Sequence, residues 1–286
     1  MEKSHSKHLT ELILATLFIS TSGVLGRYID VPAPVLAWAR AFIAFFLLWG
    51  FCRLKNIDLK IKTNKDRRAF LIGGIFMSLH WISYFYALKL SNVALGMLSL
   101  YTFPVITALL EPLFIKTPFN KIHLFLGVLV LIGVYILAPD FNLESQHVQG
   151  ILLGIFSALC YAIRILIMKQ QVSKYHGSML MFYQLLIISV LLAPSLFFME
   201  TSGLKSQFPF VLLLALITTA IGHTMMVLSF KYFAVSTASI ISSVQPVFGI
   251  ILGVIFLAEI PNLNTFIGGF LILTTVVIES VRSKNK

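Results

Sequence analysis

The sequence predicts an all-α membrane protein with ten transmembrane helices arranged as two inverted five-helix repeats. Three observations lead to this prediction: the apolar composition, the distribution of positive charge, and an internal repeat that relates the two halves of the chain. Of the 286 residues, 58% are hydrophobic and only 12% are charged, and the mean hydropathy is +0.92. A soluble domain of this length would need far more polar surface. We therefore expect the lipid bilayer to surround most of the chain.

Apolar runs long enough to cross a bilayer recur along the whole chain. A transmembrane helix needs about 20 mostly apolar residues. The segments that meet this requirement are 9–28, 35–54, 69–88, 93–115, 122–138, 148–168, 178–199, 208–230, 235–257 and 265–281. The connections between these spans are too short to hold a soluble domain.

Positive charge alternates between the two sides of this ten-span arrangement. A net charge of +11 could indicate nucleic-acid binding. However, no long basic face interleaved with aromatic residues supports a nucleic-acid partner. If the N-terminus is cytoplasmic, seventeen of the 22 lysines and arginines fall on the cytoplasmic side, three on the other side, and Arg40 and Arg164 within spans. Because lysine and arginine collect on cytoplasmic loops, this predicts a cell (inner) membrane protein with both termini cytoplasmic.

The second half of the sequence repeats the first. A shift of 142 residues, with no gap, superposes residues of the same type: Pro104 on Pro246, Lys89 on Lys231, and Gly127 on Gly269. We expect two repeats, at residues 1–140 and 148–286. Each holds five spans, so the second must insert upside down relative to the first. Inverted repeats of this kind can exchange conformations, which is how many secondary transporters alternate access.

Three segments carry a resemblance to a known family. They are "AWARAFIAF" around Arg40, "SNVALGMLSLYTFPVITALLEPLF" in the fourth span, and "VSTASIISSVQPVFGIILGVIFLAEIPNLNTFIGG" across the ninth and tenth. With the ten spans and the repeat, the chain resembles EamA-type members of the drug/metabolite transporter superfamily over essentially its whole length. The first half departs from the family pattern, because Thr117 stands at the position matching Glu259. The resemblance implies a basket-like bundle around a central cavity, lined largely by spans 1, 3, 4, 6, 8 and 9.

Glu111 and Arg164 are candidate functional charges inside the membrane. A charged side chain at mid-bilayer costs about 2.5–3.5 kcal/mol on insertion scales, so such residues usually face a cavity or a partner. Glu111 precedes Pro112 and lies on one helical stripe with Tyr101 and Pro104. It is either a proton-coupling or cation-binding carboxylate, or a structural ion-pair partner near the cytoplasmic helix ends. Arg164 lies at a similar depth, and we hypothesise that it pairs with Glu111 or holds an anionic group of the substrate.

Arg40 has two interpretations from the sequence, of which we favour the structural one. It lies nearer the outer end of the second span, where snorkelling to the lipid headgroups explains an arginine as well as a functional role does.

His80 and His223 occupy spans that are equivalent in the repeat. A histidine titrates near neutral pH and could relay protons. The commoner case is a histidine hydrogen-bonded between helices. Around them, Trp81, Tyr84 and Tyr101 could line a pocket for apolar or aromatic solutes and organic cations. The alternative for these rings is an interfacial or lipid-facing position.

Ser243 and Pro246 are candidates in the ninth span. Serine there permits close helix packing. It also offers a hydrogen bond to a solute, since Pro246 interrupts the helix.

The sequence thus predicts a secondary transporter that moves a small metabolite or amino-acid-like solute by alternating access, with export as the expected direction. No Walker-type loop appears, so we expect no direct drive by ATP and name protons as a candidate coupling ion. The alternatives are a lipid-carrier flippase on the same scaffold and a membrane-embedded enzyme. An enzyme would need clustered catalytic or metal-ligating groups, and no G-x-S-x-G or H-E-x-x-H run occurs. We expect no cofactor and no metal, and either a monomer or a homodimer.

Overall fold

The computed structural model describes residues 2–114, 121–137, 142–229, 231–233, 241–242 and 244–284, and every regular element in these ranges is helical. The helices are α1 (Glu2–Tyr28), α2 (Ala33–Leu54), α3 (Asn64–Leu90), α4 (Val93–Leu100), α5 (Phe103–Phe114), α6 (Ile122–Leu137), α7 (Gln146–Lys169), α8 (Gly177–Leu192), α9 (Ser195–Phe198), α10 (Gly203–Ser206), α11 (Phe208–Leu213), the π-helix π1 (Leu214–His223), α12 (Thr224–Ser229), α13 (Gln245–Leu257) and α14 (Leu263–Lys284).

Seven helices within the described ranges are long and apolar enough to cross a membrane. Three further apolar helices are shorter: Ile122–Leu137, Gln245–Leu257 and Leu263–Ile278. The 16 residues of α6 rise about 24 Å, somewhat less than the roughly 30 Å of a hydrocarbon core. The chain is therefore a multi-pass membrane protein.

Four of the predicted spans are not continuous α-helices. The predicted span 178–199 breaks at Ala193 and Pro194, between α8 and α9. The predicted span 93–115 breaks at Tyr101 and Thr102, between α4 and α5. Pro104 explains the break, because proline donates no hydrogen bond and disfavours helical geometry in the residue before it. The predicted span 208–230 contains π1, whose wider turn cannot be recognised from a 3.6-residue hydrophobic period. In the predicted span 235–257, Val244 lies in a turn between the helical residues 241–242 and α13, which begins at Gln245, one residue before Pro246; residues 235–240 and 243 lie outside the described residues.

Helix α3 defines the two ends of the bundle, which we call the Asn64 end and the Leu90 end. Helix α7 runs antiparallel to α3: Met168 packs on Gly73 and Ser91 on Gly150, so closely that a Cβ atom on either glycine would lie within 2.8 Å of its neighbour. Helix α7 therefore finishes at the Asn64 end. Helix α1 finishes at the Leu90 end, where Arg27 Nη1 donates to the Lys89 carbonyl oxygen at 2.7 Å.

The packing of the helices pairs the first half of the chain with the second. Helix α3 packs along α7, and π1 packs along α1. Helices α4 and α5 lie on α7 in the same way that α13 lies on α1. Helix α2 packs against α8, and α6 packs against α14. The largest apolar core joins buried residues of α2, α3 and α8. The centre of the bundle is therefore enclosed by helices from both halves of the chain.

Candidate solute site in the bundle centre

A buried cavity of about 40 Å³ lies in the centre of the bundle, which is room for about three water molecules. Helices from both halves of the chain contribute to its wall. Its polar lining consists of Ser22, Arg40, His80, His223, Ser242 and Gln245. None of the lining residues in the described ranges is acidic. A polar chamber that carries positive charge therefore lies within an otherwise apolar bundle.

Arg40 is fully buried and faces this cavity, so the prediction that it snorkels to the headgroups is wrong. Its Nε donates to Thr219 Oγ1 at 2.9 Å and its Nη1 to Ser22 Oγ at 3.3 Å. Its guanidinium lies over the Trp81 ring, with Cζ 3.9 Å from the ring centroid. The position along the span suggested an interface, but the face of α2 that carries Arg40 points into the protein.

Glu111 and Arg164 are not paired with each other. Glu111 Oε1 accepts from Lys169 Nζ at 2.7 Å, and both side chains are about one-third exposed. Arg164 is buried, and its Nε donates to Gln184 Oε1 at 2.8 Å. Glu111 therefore joins α5 to α7 at the Asn64 end, which is the structural alternative in our sequence interpretation.

Both histidines line the cavity. Ser157 Oγ lies 3.0 Å from the His80 carbonyl oxygen and 2.7 Å from His80 Nδ1. His80 is thereby held in place by α7. The ring of His223 lies 5.8 Å from that of Trp81.

Five aromatic side chains surround the polar groups: Trp81, Tyr84, Tyr101, Phe103 and Tyr161. All but Tyr161 are buried, and they do not form a lipid-facing belt. The predicted rings Trp81, Tyr84 and Tyr101 are thus brought together at one site.

The proline of α13 leaves a carbonyl group that Tyr101 satisfies. In a continuous helix, the N–H of residue 246 would donate to the Ser242 carbonyl oxygen, and Pro246 has no such hydrogen. Tyr101 Oη donates to this oxygen at 2.5 Å instead. Pro104 and Pro246 themselves do not line the cavity but interrupt the helices that do. Ser243 lies outside the described residues.

The Leu90 end is closed by a second ion pair. Arg27 Nε donates to Glu259 Oε1 at 2.9 Å, and Glu259 Oε2 accepts from the backbone N–H of Val93 at 2.8 Å, the first residue of α4. Glu259 therefore ties α1 and α4 to the residues that follow α13. The shift that aligns the two repeats superposes Arg27 on Lys169, and this match of two basic residues could have indicated the pair from sequence.

Thr219 and Ser22 are site residues that sequence reasoning did not select. Both accept hydrogen bonds from Arg40. Small hydroxyl residues are common in membrane helices, where most serve packing. Only their common contact with one buried guanidinium distinguishes these two.

A multi-pass helical bundle around a buried polar cavity defines a membrane protein of the transporter class. The model of the EamA-like transporter family matches residues 9–138 and again residues 148–280. The chain belongs to this family, and it is a transporter rather than an enzyme.

Relatives of similar length carry transporter names. An uncharacterized transporter of Archaeoglobus fulgidus is 27% identical, with 93% of this chain and 94% of the relative covered. The uncharacterized transporter YxxF of Bacillus subtilis is 23% identical, with coverage of 99% and 93%. The pseudopaline exporter CntI of Pseudomonas aeruginosa is 22% identical, with 96% of both chains covered. A solved crystal structure has the same fold, with a TM-score of 0.71, 18% identity and 98% of both chains covered.

Proposed function

We propose that the protein is a secondary transporter that exports a small polar solute by alternating access between two inverted five-helix repeats. One observation carries this proposal. The ion pairs Arg27–Glu259 and Glu111–Lys169 lie at opposite ends of the bundle that encloses the cavity, on helices that exchange under the internal repeat.

Three further observations support the repeat of ten spans. The two family matches, at 9–138 and 148–280, nearly coincide with the expected repeats at 1–140 and 148–286. Every helix pairing described above turns into another such pairing, or into itself, when the two halves are exchanged. Helices α1 and α7, which open the two repeats, finish at opposite ends of the bundle, as an inverted repeat requires.

The two ion pairs form equivalent closures. Arg27 and Lys169 are superposed by the same shift that brings Lys89 onto Lys231, and each lies in the last turn of the first helix of its half. Glu259 follows the ninth span and Glu111 lies in the fourth, so their helices are equivalent although their positions along them differ. With both pairs formed, the cavity between the two ends of the bundle has room for only a few waters. Breaking one pair would release one end while the other stays closed, which is the sequence of states that alternating access needs.

We assign the Asn64 end to the cytoplasm and place the protein in the inner membrane. The connection from α2 to α3 at this end carries a run of basic residues, among them Lys60, Lys62, Lys65, Arg67 and Arg68. Reporters fused to the two termini should both give cytoplasmic signals. A periplasmic signal from either terminus would contradict the assignment.

The chemistry of the cavity favours a polar solute over a lipid carrier, because guanidinium and imidazole groups do not suit an acyl chain. The similarity to the pseudopaline exporter supports export as the direction. The bond between Glu111 and Lys169 supports a gating role for this carboxylate over proton coupling.

Access to the cavity tests the proposal without knowledge of the solute. In a background of Cys52→Ala and Cys160→Ala, Ser22→Cys places one thiol in the cavity wall. A membrane-impermeant thiol reagent is then added to right-side-out or inside-out vesicles. We expect Glu259→Gln to increase labelling from the Leu90 end and Glu111→Gln to increase labelling from the Asn64 end.

Glu11→Gln is the matched control. It removes a carboxylate whose partners, His8 and Lys7, lie on the same helix, so it should leave access from both sides unchanged. Alternating closure would be contradicted if Glu259→Gln and Glu111→Gln increased labelling from the same side of the membrane. It would also be contradicted if neither variant changed the labelling.

A further inference from the structure

We propose that the central cavity binds the carboxylate group of an organic acid between Arg40 and Trp81. The inference rests on the proposed function, since it names the chemical class of solute that the cavity accepts. It is argued from the buried positive charge, from the hydrogen-bond donors left open, and from the shape of the surrounding side chains.

The bundle centre contains positive charge with no carboxylate to balance it among the described residues. Arg40 and Arg164 are both at most 1% exposed, and the described residues around them offer neutral partners only. The one described carboxylate that is fully buried, Asp66, is bound to Lys174 and Tyr175 at the Asn64 end. An unpaired buried charge is costly, and an anion that enters with the solute would offset this cost.

Two hydrogen-bond donors in the cavity wall have no partner in the part of the chain that the structure describes. They are Nη2 of Arg40 and Nε1 of Trp81, and both atoms are fully buried. They belong to side chains that stack on each other, with 3.9 Å between the guanidinium carbon and the ring centroid. Arg164, by contrast, uses Nε and Nη2 on Gln184 and Met181. The open donors are therefore concentrated at Arg40.

A carboxylate fits these donors better than other charged groups do. Its two oxygens match two N–H donors, and guanidinium groups bind carboxylates through paired hydrogen bonds. A phosphate dianion has three free oxygens and would leave some of them without donors. An organic cation would meet the guanidinium group of Arg40 in the cavity wall, which disfavours the cation alternative suggested by the aromatic rings. When the cavity widens from its volume of about 40 Å³ to admit a solute, the rings of Tyr84, Phe103 and Tyr161 offer surface to an apolar or aromatic body.

Ligand-induced stabilisation of the purified protein in detergent tests the inference. The probes are indole-3-acetate and phenylacetate, the primary amide of each, the amines tryptamine and phenethylamine, and phenyl phosphate. We expect at least one of the two acids at millimolar concentration to raise the unfolding midpoint by about 2–5 °C. The matched amide and amine, and phenyl phosphate, should raise it by less than half as much.

Variants then locate the binding group. Arg40→Gln should abolish the shift caused by the acid. Arg53→Gln is the matched control, because Arg53 is an exposed arginine of the same helix that also lies over a tryptophan, Trp49, and its loss should leave the shift intact. If Arg40→Gln does not fold, Trp81→Phe keeps an aromatic ring and removes the indole N–H together with part of the indole surface. It should weaken binding of the acid about three- to tenfold.

The inference is overturned if neither acid shifts the midpoint, if the amide, amine or phosphate shifts it equally, or if both Arg40→Gln and Trp81→Phe keep the full effect. Labelling of the Ser22→Cys protein involves no ligand. The alternating closure of the cavity can therefore fail or succeed independently of this result.

Discussion

The side chain of Tyr101 makes a hydrogen bond that a backbone N–H makes in a continuous helix. Its hydroxyl replaces the helical hydrogen bond that Pro246 cannot make, and so it joins the break between α4 and α5 to the start of α13. These two interruptions lie in equivalent spans of the two halves. A side chain from one interrupted helix thus stabilises the other across the cavity.

Tyr101→Phe should therefore lower stability. The substitution leaves the buried Ser242 carbonyl oxygen without this donor, at a cost of about 1–3 kcal/mol. Chemical denaturation in detergent measures the change. Tyr135→Phe removes the hydroxyl of a tyrosine that is 63% exposed on α6 and should cost almost nothing. Equal losses in the two variants would refute the role given to Tyr101.

Ala258 carries backbone strain at the end of α13. Its φ of 55° and ψ of 26° place a residue with a Cβ atom in the left-handed region, where glycine is favoured. We expect Ala258→Gly to raise the free energy of unfolding by about 0.5–1 kcal/mol. Ala193→Gly, at the φ of −52° that follows α8, should lower it instead. Thermal unfolding of both variants checks the two signs, and a loss at both positions would show that no strain was relieved.

At the scale of elements, π1 positions the partner of Arg40. Within it, Thr219 Oγ1 donates to the Leu214 carbonyl oxygen at 3.3 Å, five residues earlier in the chain. The Thr219 hydroxyl oxygen in turn accepts from Arg40 Nε, and His223 at the end of π1 reaches the cavity. A π-helix bonds groups that are five residues apart, and such segments occur often at functional sites.

The close crossing of α4 and α7 depends on one glycine. A Cβ atom on Gly154 would overlap the hydroxyl of Ser99. Gly154→Ala should therefore cost about 1–3 kcal/mol through overpacking, measured by denaturation in detergent.

Gly50→Ala, the same substitution at a second position, should have the opposite effect on stability. Nothing lies within 4 Å of the Cβ position at Gly50 on α2, so the greater helix propensity of alanine should stabilise the protein by up to about 1 kcal/mol. If Gly154→Ala were also neutral or stabilising, the contact between Gly154 and Ser99 would not define the spacing of α4 and α7.

At the scale of the whole molecule, we propose that the two ion pairs hold a closed state between two open ones. Each pair is partly exposed, so its loss should shift the balance by only about 0.4–1 kcal/mol, or about two- to fivefold in population. The double variant Glu111→Gln with Glu259→Gln should therefore label Ser22→Cys faster than the parent from both sides of the membrane. If the double variant labelled Ser22→Cys faster than the parent from one side of the membrane only, the two pairs would not act on a common closed state.

The sequence by itself determined the class of protein and the family. Composition and apolar runs establish a multi-pass helical membrane protein, because every backbone group in lipid must be bonded within a helix. The motifs around Arg40, Pro104 and Pro246 predicted the EamA-type family, and the family match confirmed it. His80, Trp81, Tyr84, Tyr101 and His223 were also selected from sequence, and all five line the cavity.

Only the tertiary structure decided which charges meet. Glu111 and Arg164 lie at similar depths along their helices, but depth does not determine the direction in which a side chain points. That direction follows from helix rotation, which is set by packing against neighbouring helices. Glu111 therefore meets Lys169, and Arg40 turns inward to Thr219 and Trp81 rather than outward to lipid.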